Sequence, residues 1–423
     1  MGSIAKNVLE DKWVEELDFG LSHKILTERW TRIKEDFWGD LKQETAEAAK
    51  RLIETNMEVQ VQDLVGSGYW KHNPNRAGYR NGHYRRGLLT SYGYLSMINV
   101  PRIRSGGIEF KILNKYQRRA KDIDRMILEM FLCGVATRRV EEVLTPLLGP
   151  KSVSAGLVSK ITKVLTKQVE RFHRRRFIDK YEYLILDGIY LNAKSPVYKK
   201  RRCVLVTYGL WIDADGRLRR ELIDFQMASH GESQNAWERF LNGLYRRGLV
   251  GKNLKLVTMD GNKGLNNAVD LIYPNALPQL CWAHKLRNVA NKLPRKFQTL
   301  CVSGARKIYN AESYSEALKA YKHWVKVWHP IAPQATECLE KDIEELLNFY
   351  QCPKDLWVKL RTTNIIERVF REVRRRTRPM SCFQNRESVE RIIYAIFYRL
   401  NTKWGNDLDI LEDSLLNEIT QDY

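Results

Sequence analysis

Three apolar runs in series, followed by shorter runs that alternate with helical patterns, constrain this chain more than any other feature. The long runs are YEYLILDGIYL from Tyr181, CVLVTYGLWI from Cys203 and LRRELIDFQMA from Leu218. Each reads as a continuous apolar strand. A helical pattern follows from Ser233 through Trp237, Phe240, Leu241 and Leu244 to Gly248. NLKLVTMD, ending at Asp260, reads as a fourth strand, residues 263–272 as a helix and ALPQLC as a short fifth strand. Strands in series and then strands alternating with helices define an α/β domain, and their order is that of a ribonuclease-H-like fold.

The flanking segments differ from it sharply. Residues 1–65 read as an N-terminal helical region for dimerisation or DNA binding, with apolar residues three and four apart (Trp13, Leu17, Leu21; then Leu52, Ile53, Met57, Val61). Composition shifts at Val65-Gly-Ser-Gly. Between Lys71 and Lys121 twelve Lys or Arg face a single acid, Glu109, interleaved with Tyr79, His83, Tyr84, Tyr94 and glycines at 78, 82, 87 and 93. Residues 66–121 are therefore expected to be a DNA-contacting module, in which LLTSYGYLSMINVPRIR alternates like a hairpin ending at Pro101. Residues 122–178 read as three short helices. The first runs through Met126, Ile127, Met130 and Phe131 to Gly134. The second is capped by Thr137 and ends at Gly149, and the third, capped by Ser154, passes Leu157, Ile161 and Leu165. That outline, with the basic run Arg171 to Arg176 at its exit, fits a helix-turn-helix-like DNA-binding domain, although plain helical packing has the same outline. After the α/β segment at 179–284, residues 285–360 are helical with Trp324, Trp328 and Trp357, residues 361–405 are helical again, and 406–423 form a tail.

Charge points to the partner. Lys and Arg outnumber Asp and Glu by 71 to 50, a net charge of +21, which holds a protein on polyanions, nucleic acid above all. No stretch approaches the ~18 consecutive apolar residues of a membrane span, no signal-peptide pattern opens the chain, and Lys6 stands where a myristoylation site needs Ser or Thr. Seven scattered cysteines fit a reducing compartment without disulfides. A cytoplasmic, nucleoid-associated protein is expected.

Two aspartates stand in matching contexts. Asp187 follows Tyr-Leu-Ile-Leu, Asp260 follows Leu-Val-Thr-Met, and a glycine succeeds each. A strand running into Asp-Gly sets a carboxylate at a sheet edge, where the glycine lets other groups approach. Two such strands side by side concentrate negative charge that needs a cation, and Mg²⁺ suits oxygen ligands and phosphate. Asp-Gly is equally the signature of a plain turn. The third acid, Glu367, lies in RTTNIIERVFREVRRRTRP, where seven arginines fall between Arg361 and Arg378. That pattern presents a carboxylate to DNA among phosphate clamps. Asn364-x-x-Glu367 is also a helix-capping pattern, in which the glutamate would only satisfy backbone donors.

DGIYLNAK, SQNAWERFLNGLYRRGL, VTMDGNKGLNNAVDLIYPNALPQLCWAHKLRNV and TTNIIERVFREVRRRTRPM resemble motif blocks of the Mutator-type bacterial insertion-sequence transposases, and GYRNGHYRRGLLTSYGYLSMINVPRIR and FLCGVATRRVEEVLTPLLG resemble its N-terminal blocks. The resemblance spans roughly residues 60–400. It implies an α/β ribonuclease-H-like catalytic domain with an all-helical insertion between the second Asp and the Glu, preceded by helical and helix-turn-helix-like DNA-binding domains. It further implies Asp187, Asp260 and Glu367 as ligands of two Mg²⁺ ions (Mn²⁺ substituting), with water and then a freed 3′-OH as attackers at one site. Double-stranded DNA, as terminal inverted repeats and as target, and a second copy of the chain are the implied partners. Cys281-x-x-His284 lacks the second pair of a zinc site. By the resemblance it is a motif beside the active site, with His284 meeting the scissile phosphate or supporting the carboxylates, while a buried Cys followed by a helix-start His is the plain alternative. Charge and position nominate Arg80, Arg85, Arg86, Arg102, Arg104, Arg138, Arg139, Lys160, Arg368, Arg371, Arg374 and Arg375 as DNA contacts. Phe370 and Phe383-Gln384 depart from the family pattern, where local DNA contacts are expected to differ.

Overall fold

A computed structural model describes residues 37–406, except 69–70, 72, 105–106, 150–151, 195–198, 229–230, 379–382 and 384. The expectations for residues 1–36, the tail and Gln384 lie outside the described residues. The described part groups into two compact units, one within 37–127 and 140–155, the other within 128–139 and 156–406.

In the first unit, α1 (Phe37–Val65) is one long helix that stops where composition shifts, with Gly66 at φ +71°. It lies on an antiparallel hairpin of β1 (Arg80–Thr90) and β2 (Gly93–Ile103). Met57, Val61 and Val65 from the helix meet Leu88, Leu95, Ile98 and Val100 from the hairpin, with Phe110 and Leu113 closing the core. An isolated hairpin is marginal in water, so this apolar face is what holds it. Glu54 accepts from the Asn99 backbone amide and side chain at 2.7 and 3.1 Å, tying helix to strand by a polar contact as well. The hairpin starts further upstream than its alternation suggested, and β2 runs past Pro101, which a two-stranded ribbon tolerates because both strands are edges.

Four helices come where three are expected: α2 (Lys121–Leu132), α3 (Thr137–Leu148), α4 (Ala155–Thr162) and α5 (Val164–Arg174). Gly134 and Gly149 end the first two in left-handed backbone at φ +91° and +85°. Thr137 lies inside the first turn of α3 rather than capping it. The expected third helix is broken at Lys163, where bonds close after three residues rather than four.

The second unit is organised on a five-stranded sheet of order β5-β4-β3-β6-β7. Its strands are β3 (Tyr183–Lys194), β4 (Lys199–Ile212), β5 (Leu218–Ala228), β6 (Leu256–Met259) and β7 (Leu277–Leu280). The first three pair antiparallel, whereas β6 runs parallel to both β3 and β7. α6 (Gln234–Arg246) and α7 (Lys263–Ile272) make the crossovers that parallel pairing requires. Helical residues follow: α8 (Trp282–Ala290), α9 (Arg295–Tyr309), α10 (Tyr314–Trp328), α11 (Pro333–Glu340), α12 (Ile343–Leu347) and α13 (Trp357–Leu360), then α14 (Asn364–Thr377) and α15 (Arg386–Lys403). Gln279 and Trp282 anchor the helical stretch by donating to the Leu346 carbonyl at 3.0 and 2.7 Å.

The exposed edge of β5 is closed by α15 and α5. Asn401 bonds both backbone groups of Leu222, at 2.9 and 3.0 Å, as a neighbouring strand would. Phe172 of α5 packs on Phe225 and Tyr394. The basic run at the exit of α5 therefore divides. His173 is paired with buried Asp224 at 2.7 Å and Arg175 with Glu221 at 3.0 Å, while Arg171, Arg174 and Arg176 face solvent.

Candidate active site

Asp187 does not end its strand. It sits within β3, which stays paired with β4 through Lys194. What ends there is the other neighbour, because β6 pairs with β3 only over Tyr183–Ile185. Ile185 is opposite Thr258, so Asp187 and Asp260, each two residues on, continue one register past the last paired residues. Side chains two apart share a face. Each carboxylate accepts a bond from the amide of its following glycine, at 2.8 Å for Asp187 and 2.7 Å for Asp260. The sequence reading of a sheet edge thus holds in a modified form: the edge is the step where β6 stops.

The third acid arrives from the far side of the helical stretch. Thr363, not Asn364, stands at the N-cap of α14, and its side chain makes no capping bond. Glu367 lies in the first turn with its carboxylate 3.9 Å from His284 Nε2. His284 Nδ1 is 3.9 Å from Asp260 Oδ1 on its other side. One ligand atom each from Asp187, His284 and Glu367 lie within 4.8 Å of one another. Burial pushes the Asp187 carboxyl up to about 7, with Glu232 and Asp260 adding to the rise and His284 and the Gly188 amide opposing it. No Lys or Arg among the described residues pairs with Asp187, Asp260 or Glu367.

The Cys281-x-x-His284 motif joins the two halves of this centre. Cys281 begins α8 directly after β7, and its sulfur accepts from the Thr363 amide at 3.2 Å and contacts the Thr363 hydroxyl at 3.5 Å. Trp282 donates its amide to the Arg361 carbonyl at 3.1 Å. The start of the Glu367 helix is thereby pinned to the strand beside Asp260. His284, one turn on, stands between the carboxylates, its Nδ1 buried without a hydrogen-bond partner. The Cys281 sulfur raises the imidazole to about 9, Asp260 and Asp187 add to this, and burial opposes it. A cationic ring among three acids is the electrostatic state this geometry favours.

Around the centre the nominated arginines divide by exposure. Arg368, Arg371, Arg374 and Arg375 lie on the exposed side of α14, as does Arg378 just beyond it, though Arg375 also holds Glu372 at 2.9 Å. Two arginines of the run are structural. Arg376 is buried, donating to the Leu132 carbonyl at 2.7 Å with its stem against Gly134, and Arg361 donates to the Tyr309 carbonyl. Phe370 is 2% exposed, so its departure from the family pattern alters packing rather than a DNA contact, and Phe383 is buried too.

In the first unit Arg85, Arg102 and Arg104 are exposed, whereas Arg80 bonds the Ser67 carbonyl and Arg86 the carbonyls of Asn114 and Lys115. Exposed Tyr79, flanked by Arg76 and Arg104, and exposed Tyr94 and Tyr116 mark the hairpin surface. Arg138, Arg139 and Lys160 are exposed as well. The six cysteines among the described residues are free thiols, and no described helix is long and apolar enough to cross a membrane.

One acid near the centre escaped sequence reading. Glu232 comes just before α6, with its carboxylate against Gly188 and Cys203. Nothing in SHGESQNAW marks it beyond a helix-start serine.

Residues 24–407 match the model of the Mutator family of transposases. The transposase for insertion sequence element ISRM5 of Rhizobium meliloti (strain 1021) is 33% identical over 358 residues, 85% of this chain and 88% of that protein. The transposase for IS905 of Lactococcus lactis is 30% identical over 82% of this chain and 89% of its own length. That for IS256 in transposon Tn4001 of Staphylococcus aureus is 31% identical over 82% and 87%. The class defined is thus that of transposases. The chain belongs to the Mutator family, with relatives that serve insertion sequence elements.

Proposed function

We propose that this protein is a DDE transposase that binds the terminal inverted repeats of an insertion sequence and catalyses metal-dependent strand cleavage and strand transfer. The observation that carries the reading is the common register of Asp187 and Asp260, with Glu367 held within 4.8 Å of Asp187 and His284 on a helix tied to the sheet by the Cys281–Thr363 contact. Strands β3 to β7 and their crossovers form the ribonuclease-H-like core in this reading, interrupted by the helical stretch before Glu367. Oxygen-rich acids that no Lys or Arg among the described residues pairs with suit hard divalent cations, and Asp187, Asp260 and Glu367 would hold them, with His284 close by. Bound there, two Mg²⁺ ions supply activation of the attacking oxygen and stabilisation of the leaving 3′ oxygen.

The residues do the rest. The exposed arginines of α14 clamp backbone phosphates on either side of the scissile one, and His284, 3.9 Å from both Asp260 and Glu367, is near enough to meet its oxygen. Water attacks the phosphorus first and the 3′ oxygen leaves. The freed 3′-OH then attacks a target phosphorus in the same site, and the new phosphodiester forms as the target's own 3′ oxygen leaves as a hydroxyl. The basic, tyrosine-bearing hairpin and the helices of residues 121–174 bind the ends. Two ends must be joined, so the active form is at least a homodimer. The work is done on DNA in the bacterial cytoplasm.

Asp187→Asn is the direct test. Losing a cation ligand forfeits several kcal/mol of transition-state stabilisation, so cleavage should fall by about 10³-fold while end binding in a mobility shift is unchanged. Mg²⁺-dependent nicking retained by the variant would remove Asp187 from the centre. Failure of the wild type to join a pre-cleaved end to target DNA would make it a nuclease instead.

A further inference from the structure

Gly188 is built around Glu232. A Cβ at position 188 would stand 1.6 Å from Glu232 Oε1 and 3.1 Å from the Cys203 sulfur, so no other residue fits beside Asp187 without moving that carboxylate. The segment carrying Glu232 is held by the same elements that position Asp260. Asn262 caps α7 with its side-chain oxygen on the Gly264 amide at 2.9 Å, and its amide reaches the Glu232 carbonyl at 3.4 Å. Ser233 caps α6. The two helix starts touch so closely that a Cβ on Gly264 would meet the Gln234 amide at 2.8 Å, and Asn267 donates to Gln234 at 3.0 Å. Glu232 and Asp260 are thus parts of one rigid corner. The Glu232 carboxylate takes a long bond from the Cys203 thiol, 3.5 Å, and the Asn262 side chain also favours its charged form, while no Lys or Arg among the described residues pairs with it. An acid of this kind, wedged beside Asp187 where the single His284 ring already faces Asp260 and Glu367, adds more negative charge than one imidazole offsets, and a shared cation balances it.

We propose that Glu232 is a fourth acid of the centre, a positioning residue that adds its charge and its wedge on β3 to the cation site of Asp187 and Asp260. This rests on the metal-centre reading above. Its three consequences are separable from packing: Glu232 sets cation affinity, it does so by charge, and its removal does not weaken the metal-free fold.

The test measures Mn²⁺ bound by the full-length protein, by electron paramagnetic resonance of free Mn²⁺, together with melting in EDTA. Glu232→Gln should bind its tighter Mn²⁺ about 10-fold more weakly, the scale seen for residues that support metal ligands. It should melt in EDTA no lower than wild type, since repulsion among the acids is relieved. Glu232→Asp, which keeps the charge, should recover part of the affinity. Wild-type Mn²⁺ affinity in Glu232→Gln, alongside loss of binding in Asp187→Asn, overturns the role of Glu232 and leaves the centre intact. Unchanged binding in both overturns the centre itself. An Asp variant as weak as the Gln variant, or a Gln variant that melts lower in EDTA, assigns Glu232 to packing and ends the proposal.

Discussion

The same dipeptide does two different things at Asp187-Gly188 and Asp260-Gly261. Gly188 is inside a paired strand and has no room for a side chain, whereas a Cβ on Gly261 would meet nothing within 4 Å. Gly188→Ala should therefore push the flexible end of Glu232 aside, costing about 1 kcal/mol of stability or less, and lower cleavage through the displaced carboxylate. Gly261→Ala should leave both within a few-fold of wild type, and urea titration with a nicking assay checks the pair. Cys281 makes a similar distinction. Its alanine variant leaves the Thr363 amide buried without an acceptor, a loss of about 1–3 kcal/mol, and frees the start of the Glu367 helix. Serine restores an acceptor, so Cys281→Ser should recover stability and cleavage ahead of alanine. Equal defects in the two would mean that the thiol serves something other than this bond.

Among the elements, α14 has two faces with different duties. Arg371 lies on the exposed side and Arg376 is buried against Glu372 and the Leu132 carbonyl. Arg371→Ala should leave stability unchanged, weaken DNA binding without regard to sequence, and flatten its salt dependence by about one phosphate contact. Arg376→Ala breaks a buried network and should cost about 3 kcal/mol in denaturant. A reversal of these outcomes would redraw which side of the helix faces DNA. The β5 edge offers a second case at this scale. Asn401 satisfies the amide and carbonyl of Leu222 together, so Asn401→Ala should destabilise by about 2 kcal/mol, read by urea denaturation. A loss below about 0.5 kcal/mol would show that water takes its place.

At the scale of the whole molecule, binding and chemistry should separate. EDTA is expected to abolish cleavage and leave end binding intact, because the basic surfaces of both units need no cation to hold phosphate. Sedimentation with end DNA should give a complex of at least two protein copies. A one-to-one complex active in joining would refute the dimer.

The strands, helices and candidate acids were legible because each is written locally. Branched apolar runs form β3 to β7, glycines end α2 and α3 in left-handed backbone, and Asp-Gly after a strand flags a carboxylate. Local patterns are also where the reading went astray. Thr137 looked like a cap, Asn364 looked like the start of a capping box, and Asp187 looked like the end of a strand. At Thr137 the helix simply began one residue earlier, whereas at Asp187 and at the start of the Glu367 helix the outcome turned on a neighbour far away in sequence.

By itself, then, the sequence determined a basic protein with an α/β core, two aspartates in matching frames, an arginine-rich helix bearing Glu367, and membership of a family. Only the tertiary structure decided that Asp187 lies mid-strand where β6 stops, that Cys281 ties Thr363 to the sheet across 82 residues, that Arg361 and Arg376 are structural, and that Glu232 leans on Gly188. The physical reason is range. Strand and helix preferences are set by residues within a turn or two, whereas a charge, a thiol or a missing Cβ acquires its meaning from whichever distant group packing brings within a few ångströms.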